Sequence, residues 1–295
     1  MSTVNFSQQS ASLAAGLGRV DSLLEKVTGR ISSGRRLDRP AADPAGLGQS
    51  IKLEAEQGRL RAAEVNIQNG VSRLQVTGDQ LSAVGRLVTR LSELNTLGAN
   101  SLQTGSDRAL YATEFTQLQQ QLRQMVGGTT AEIGGTSDVE QPQGRFNSRP
   151  LFGPGPADVL VVGSGDQDRV SLPVINLRTG AVGDLIRQDA SGAFNVDLGS
   201  ADPSALNATL KAALAQVSVA QADVGGVQSR LALAADVAAT AAANQEAALG
   251  AIVDADLAAE TTQLARLKIL SEGHTAMLAQ ARDVTAKLLP LLSRN

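Results

Sequence analysis

Asp254 and Asp256 are the nearest approach in this sequence to a paired-carboxylate site, two positions apart between Val253 and Leu257. Carboxylates so spaced could bind a metal or share acid–base work. They also fit the start of a helix, with Asp256 as N-cap and negative charge near the positive end of the helix dipole. The cap is the favoured role, because a metal or catalytic pair lacks companions. His274 is the single histidine and cysteine is absent. Zinc clusters, thiol nucleophiles and Ser–His–Asp constellations therefore have no parts to draw on. Arg35, Arg36 and Arg39 stand near Asp38 and Asp43; they could hold a phosphate or form ion pairs with those acids. No glycine pattern of a nucleotide-binding loop occurs in a strand–helix setting. These residues point away from an enzyme, with no cofactor and no metal expected.

The composition agrees. Of 295 residues 42% are hydrophobic, yet only 2% are aromatic: five Phe, one Tyr and no Trp. Aromatic side chains usually dominate compact cores and small-molecule pockets. An apolar set of Ala, Leu and Val instead suits long helices packed along their length. Net charge is −3, from 26 basic and 29 acidic residues, so neither nucleic acid nor an anionic membrane is an expected partner. No apolar run reaches the ~18 residues of a membrane helix. Met1–Ser12 lacks the basic-then-apolar layout of a Sec signal peptide.

Hydrophobic spacing gives the elements that must position these residues. Leu13, Leu17, Val20, Leu24, Val27 and Ile31 alternate steps of four and three, a heptad seam on a helix. Gly34, Pro40, Pro44 and Gly46 break it between Ser32 and Gly46. Alternation resumes at Ile67, Val71, Leu74, Gly78, Leu81, Val84, Val88, Leu91 and Asn95. With its lead-in from Leu47 to about Gln103, this helix would span roughly 80 Å. A break at Thr104–Asp107 follows, with Ser106 or Asp107 as the expected N-cap. Tyr111, Phe115, Leu118, Leu122 and Met125 then mark a third helix, folded back on the second and ended by Gly127–Gly128.

Residues 129–200 behave differently. They hold five of the nine prolines and three of the six aromatics, Phe146, Phe152 and Phe194. Short β-leaning runs lie at Val159–Val162, Val170–Leu177 and Phe194–Leu198. Turns are expected at Gly163–Asp166, Thr179–Gly183 and Asp189–Gly192. This reads as a small β-rich lobe, of which residues 154–195 should be replaceable by a short linker. Helix returns at Asp202–Pro203, a cap and first-turn pair, with Leu206, Leu210, Leu214, Val217, Val224, Val227 and Leu231 along one side to about Gly250. A final helix is expected from about Asp256 to Leu289, its apolar positions being Leu257, Leu264, Leu267, Leu270, Leu278, Val284, Leu288 and Leu291.

Either end alone would expose a long apolar stripe, so the two ends are expected to pair. The expected fold is mainly α: a long antiparallel helical hairpin or coiled-coil rod formed by both chain ends, with a small central β-rich lobe. Its divisions are 1–45, a coiled-coil helix and connector; 46–128, half of a helical rod; 129–202, a β-hairpin lobe; 203–255, the other half of the rod; and 256–295, the second coiled-coil helix.

Several segments resemble bacterial flagellin, in the family's order. Arg30–Ser50, RISSGRRLDRPAADPAGLGQS, is similar to its Ser-Ser-Gly-x-Arg stretch and Asp-rich Ala-Gly turn. Asn66–Ser101 resembles its long central helix, and FNSRPLF, Phe146 to Phe152, its Phe-Asn-Gly hairpin, with Ser148 in place of the Gly. GAIVDADLAAETTQLARLKIL and TAMLAQARDVTAKLLPLL resemble its C-terminal segments, with Arg282 where Asn is common. Ala41–Pro44 departs from the usual Asp-Asp pair, and Asp43–Pro44 also occurs in the homologous hook–filament junction protein.

The resemblance implies a structural subunit that polymerises with many copies of itself into the flagellar filament for swimming. The junction protein is the alternative, and a flagellin bearing a catalytic insertion a third; residues 129–200 hold no histidine for a zinc protease. The assembly core it implies comprises the α-helical stripes Leu13, Leu17, Val20, Leu24, Val27 and Ile31 with Leu264, Leu267, Leu278 and Leu288. Connector contacts between subunits would involve Arg35, Arg36, Asp43, Asp254 and Asp256. Implied partners are hook-associated and cap proteins, an export chaperone and the flagellar type III export apparatus, which would place the chain outside the cell without a cleaved Sec signal. Arg90, Leu94 and Glu114 match positions at which many flagellins contact a host Toll-like receptor, although Arg90 with Glu93 or Glu114 is also an ordinary helix-surface pair. Burial of the Leu, Val and Ala stripes between neighbours, at about 25 cal/mol per Å², would drive assembly.

Overall fold

The computed structural model describes residues 2–37, 43–199 and 202–292, and the side chains of all these except 2–7, 9, 10 and 285–292. Long helices dominate: α1 (Ser2–Ser33), α2 (Pro44–Gly98), α3 (Gly105–Val126), α6 (Pro203–Val253) and α7 (Leu257–Leu292), with the short α4 (Thr130–Ile133) and α5 (Gly180–Ile186) between. Two compact units result, Met1–Gln57 with Ala243–Asn295, and Gly58–Ala242.

In the first unit α1 and α7 pack together. Val20, Val27 and Leu267 are buried between them, with Leu24, Ile31 and Leu264 alongside. The heptad spacing of α1 accounts for this, since steps of three and four keep its aliphatic residues on one face.

The second unit has one continuous core. It joins Leu74, Leu81, Val88 and Leu91 of α2, Phe115 and Leu122 of α3, and Leu210, Val217 and Leu231 of α6. The helix caps explain where the segments stop. Gly127 ends α3 at φ +65°, donating its N–H to the Arg123 carbonyl. The Asp202 carboxylate accepts from the Ser204 N–H at 3.0 Å at the start of α6. At the start of α3 the cap is Thr104 rather than Ser106 or Asp107. Its hydroxyl accepts from the Asp107 N–H while the Asp107 carboxylate accepts from the Thr104 N–H, a reciprocal capping box.

The middle segment contains little strand. Its sheets are two hairpins, β1 (Arg145–Phe146) with β2 (Arg149–Pro150), and β3 (Val159–Val161) with β4 (Arg169–Ser171). The β-leaning run at 194–198 makes only an isolated bridge, Gln188 with Phe194, and the turn expected at Thr179–Gly183 opens into α5. The segment is also part of the core and not an appendage. Phe152, Leu172, Leu177, Val182, Leu185 and Ile186 are buried against the helices. Exchanging residues 154–195 for a linker would remove five of those six side chains, so the expectation that this stretch is replaceable is corrected here.

Polar side chains fasten the segment where apolar packing cannot satisfy its backbone. Gln119 donates to the Leu185 and Val196 carbonyls at 2.9 and 2.8 Å. Arg123, only 6% exposed, donates to the carbonyls of Ile133, Ile186 and Gly134 at 2.7, 3.1 and 2.6 Å. Burial draws its pKa down, and the field of Asp138 opposes that shift. From α6, Gln216 donates to the carbonyls of Asn176 and Thr179 and accepts from the Val182 N–H. The β3–β4 hairpin is held to α2 by Asp158, which accepts from Arg73 and also pairs with Arg149 at 3.0 Å. Beside it, Leu160 fills the space that a side chain at Gly70 would occupy.

Two predictions follow from these loops. Asn147 and Ser148 join β1 to β2 with φ of +48° and +63°, the left-handed pair of a type I′ turn. Serine is strained there, so Ser148→Gly should stabilise the second unit by about 0.5–1 kcal/mol; an unchanged or lower melting temperature would contradict this. The Arg73 hydrogen bond, more than the charges of Arg73 and Arg149, holds the Asp158 pKa below the usual carboxylate range. A folded-state pKa below the unfolded one gives stability that is present above about 3.9, the ordinary value, and is lost as pH falls through the depressed one. Asp158→Asn should therefore cost about 1–2 kcal/mol at neutral pH, and denaturant titrations should show that difference fading in acid.

Candidate functional site

The surface to be accounted for is the helix pair at the chain ends. Arg30 of α1 meets Glu260 of α7 at 3.1 Å, and the Ser271 hydroxyl donates to Asp21 at 3.4 Å. The ring of His274 lies over Gly16. As numbers fall along α1 they rise along α7, so the helices are antiparallel. Leu13, Leu17 and Leu278 are half-buried beyond the central cluster of Val20, Leu24, Val27, Ile31, Leu264 and Leu267. The side chain of Leu288 lies outside the described residues. The face that α7 turns to α1 carries Leu264, Leu267 and Leu278. In full it runs Glu260, Leu264, Leu267, Ser271, His274, Leu278, whereas Leu257 and Leu270 are exposed. The remaining surface of the pair keeps Leu23, Ile269 and Met277 in solvent, the last two 69% and 60% exposed.

Below the pair, two irregular connectors bind each other through their backbones. The Arg36 N–H donates to the Val253 carbonyl at 2.6 Å and the Ala255 N–H to the Gly34 carbonyl at 2.9 Å, bridging Arg35 to Asp254. Gly34 takes φ +69° to leave α1, a conformation glycine adopts at no steric cost. The Arg36 guanidinium donates to the Ile252 carbonyl at 2.7 Å, and Arg35 pairs loosely with Glu54 at 3.4 Å. Asp256 accepts from the N–H groups of Ala258 and Ala259 at 2.9 and 3.1 Å, a helix cap. Asp43 does the same for α2, accepting from the Gly46 N–H at 2.9 Å. Arg35, Arg36 and Asp254 are thus brought together, while Asp43 and Asp256 each serve the helix that follows them. Asp38 and Arg39 lie outside the described residues.

The three residues matched to receptor contact are not all on the surface. Arg90 is exposed and donates to Glu114 at 2.8 Å and to Glu93 at 2.9 Å, which together raise its pKa. Leu94 has 0% exposure and belongs to the core. It offers no contact surface in this fold, because the face of α2 that carries Leu91 and Leu94 is covered by the rest of the second unit.

Gln119, Arg123 and Gln216, which position the middle segment, were not singled out from sequence. The available signal is their phase: Gln119 and Arg123 follow Phe115 at steps of four, on the same face of α3 as Leu122 and Val126.

Among the described residues no group of three or more His, Cys, Asp or Glu could hold a metal ion, and no helix is long and apolar enough to cross a membrane. Comparison with known proteins assigns the arrangement. Residues 4–132 match the family model described as the bacterial flagellin N-terminal helical region, and residues 208–292 match the bacterial flagellin C-terminal helical region. The flagellar filament 30.7 kDa core protein of Treponema maltophilum is 31% identical over 90% of both chains. The flagellar filament core protein flaB2 of Brachyspira hyodysenteriae is 30% identical over 91% of this chain and 92% of its own. The flagellin of Bacillus subtilis is 27% identical over 92% and 93%. With both of its helical ends matched and relatives aligned along nearly its whole length, the chain belongs to the bacterial flagellin family.

Proposed function

We propose that this chain is the core subunit of a flagellar filament, polymerising with copies of itself to form the structure that propels the cell. The observation that carries the reading is the match at both ends together with full-length similarity to filament core proteins. The flagellins are a structural family, and the chain acts through packing and not catalysis. The relatives named above are filament proteins, which favours the filament over the hook–filament junction.

The α1–α7 pair is the proposed assembly core. Helices of this kind are marginal in isolation and draw their order from tertiary partners. The pair covers one stripe on each helix and leaves Leu23, Ile269 and Met277 exposed, so a second burial remains to be gained from neighbouring copies. Contacts of this type are heterologous, and repetition extends them into a helical polymer. In this reading the filament lies outside the cell, delivered by a type III export apparatus with its chaperone and bounded by hook-associated and cap proteins. The connector residues Arg35, Arg36, Asp43, Asp254 and Asp256 then lie at contacts between neighbouring subunits.

Electron microscopy of the concentrated full chain should show long filaments. A fragment restricted to residues 58–242, the second compact unit, should unfold cooperatively and stay soluble without forming them. Ordinary filaments from that fragment would refute the terminal pair as assembly core. A full chain that folds yet never polymerises, even on filament seeds, would refute the subunit reading itself.

A further inference from the structure

We propose that His274 and Gly16 form a register pin, a positioning pair that admits one antiparallel alignment of α1 against α7. The seam of α1 is nearly uniform: Leu13, Leu17, Val20, Leu24, Val27 and Ile31 repeat the same aliphatic class every seven residues. Sliding such a seam by one heptad sets aliphatic against aliphatic again and changes burial little, so a purely apolar seam specifies its register poorly. The seam of α7 is not uniform, because Ser271 and His274 replace aliphatic residues on its covered face.

His274 lies close over Gly16. A Cβ added at Gly16 would stand 3.1 Å from Nε2 and 3.3 Å from Cδ2 of the ring, so any other residue there would crowd the imidazole edge. The other glycines of α1, Gly18 and Gly29, have nothing within 4 Å of that position. Gly16 alone among them faces α7. Glycine inside a helix is disfavoured relative to alanine, and the ring supplies the reason for it here. The ring is fixed from its own helix: Nδ1 lies 2.8 Å from the Leu270 carbonyl. A carbonyl only accepts, so Nδ1 is the donor and Nε2 is the edge turned to Gly16.

The backbone bonds of Arg36 to Val253 and of Ala255 to Gly34 hold the register at the connector end of the pair; the side-chain contacts along it agree with the register but do not enforce it. The Arg30–Glu260 and Asp21–Ser271 contacts involve side chains that can follow a small slide. The ring cannot. A slip of one heptad brings Leu23 or Gln9 to the place of Gly16, and a half-heptad slip brings Leu13 or Val20. Each carries a side chain that would crowd the ring. This register belongs to the single chain; only its consequence for filaments rests on the assembly reading above, so the test uses the full-length monomer.

A double-mutant cycle separates the pin from ordinary packing. Gly16→Ala should lower the melting temperature of the terminal helices in the native background. In a His274→Ala background it should raise it, because helix propensity then acts unopposed. The same rise in both backgrounds would overturn the proposal. Register is read directly by disulfide trapping, which is clean because the chain has no cysteine. Leu24→Cys with Leu267→Cys reports the observed alignment, and Leu17→Cys with Leu267→Cys one slipped by a heptad. Only the first pair should close in the native background, and both in His274→Leu. If the slipped pair stays open in His274→Leu, or closes as readily with His274 in place, the pin is refuted. Filament formation is not the readout, so a failure of the assembly reading would leave this result standing.

Discussion

The pairing of the two chain ends is the constraint on which the rest of the first unit depends. Arg30 and Glu260, 230 positions apart in sequence, meet across α1 and α7, and among the described residues the two stripes bury each other. Because the helices are antiparallel, the chain leaves α1 and begins α7 at the same place. The backbone bonds between Gly34–Arg36 and Val253–Ala255 follow from that coincidence, and so does the proximity of the α2 start to the α6 end, where Gln245 donates to Glu56 at 3.0 Å. Closing so long a loop costs entropy that grows only slowly with its length, and the core of the second unit orders most of the intervening chain independently of the ends.

Within that second unit the difficulty is to seat an irregular segment against regular helices. A helix has no spare backbone donors along its length, so those carbonyls of residues 133–196 that turn toward the helices must find side chains. Arg123, Gln119 and Gln216 supply them, reaching from α3 and α6 with several donors each. Arginine suits the task because its planar fork holds a fixed geometry and stays charged when buried. Near α4, Arg187 does the same for the Glu132 carbonyl at 3.2 Å, while Arg178 pairs with the Glu132 carboxylate at 2.7 Å. Removing such an anchor would leave buried carbonyls unpaired, a larger penalty than the net worth of the bonds themselves.

How much of this was legible in the sequence varied with the physics involved. The seam of α1, the caps at Asp202 and Asp256 and the stop at Gly127 each follow from a local rule of spacing or backbone conformation, and the structure places them where that rule puts them; the hairpin around Asn147–Ser148 follows from the family resemblance instead. The apolar positions of α7 do not by themselves fix its covered face, because Leu267 and Leu270 are three apart and both aliphatic; Leu267 turns to α1 and Leu270 to solvent. The middle segment was misjudged for a related reason. Its prolines and glycines signal irregular backbone correctly, but irregular backbone can be surface or core, and the buried Leu172, Leu177, Leu185 and Ile186 declare themselves only once α3 and α6 are in place. Leu94 is the same lesson in reverse: similarity at one position cannot tell which way a side chain faces.

The covered face of α7 also shows what a polymer subunit demands beyond stability. Leucine at positions 271 and 274 would bury more apolar area against α1 than Ser271 and His274 do, and each added aliphatic contact would strengthen the pair. It would also make the seam more self-similar. In an isolated chain a slipped pair is a local fault. In a helical polymer every copy presents its surface to the next, and a slip of one heptad moves one helix by about 10 Å along the other, displacing the exposed Leu23, Ile269 and Met277 by that distance relative to the partner helix. Strength in the single chain and fidelity in the polymer therefore favour different residues at the same positions, and a histidine seated over a glycine belongs to the second requirement.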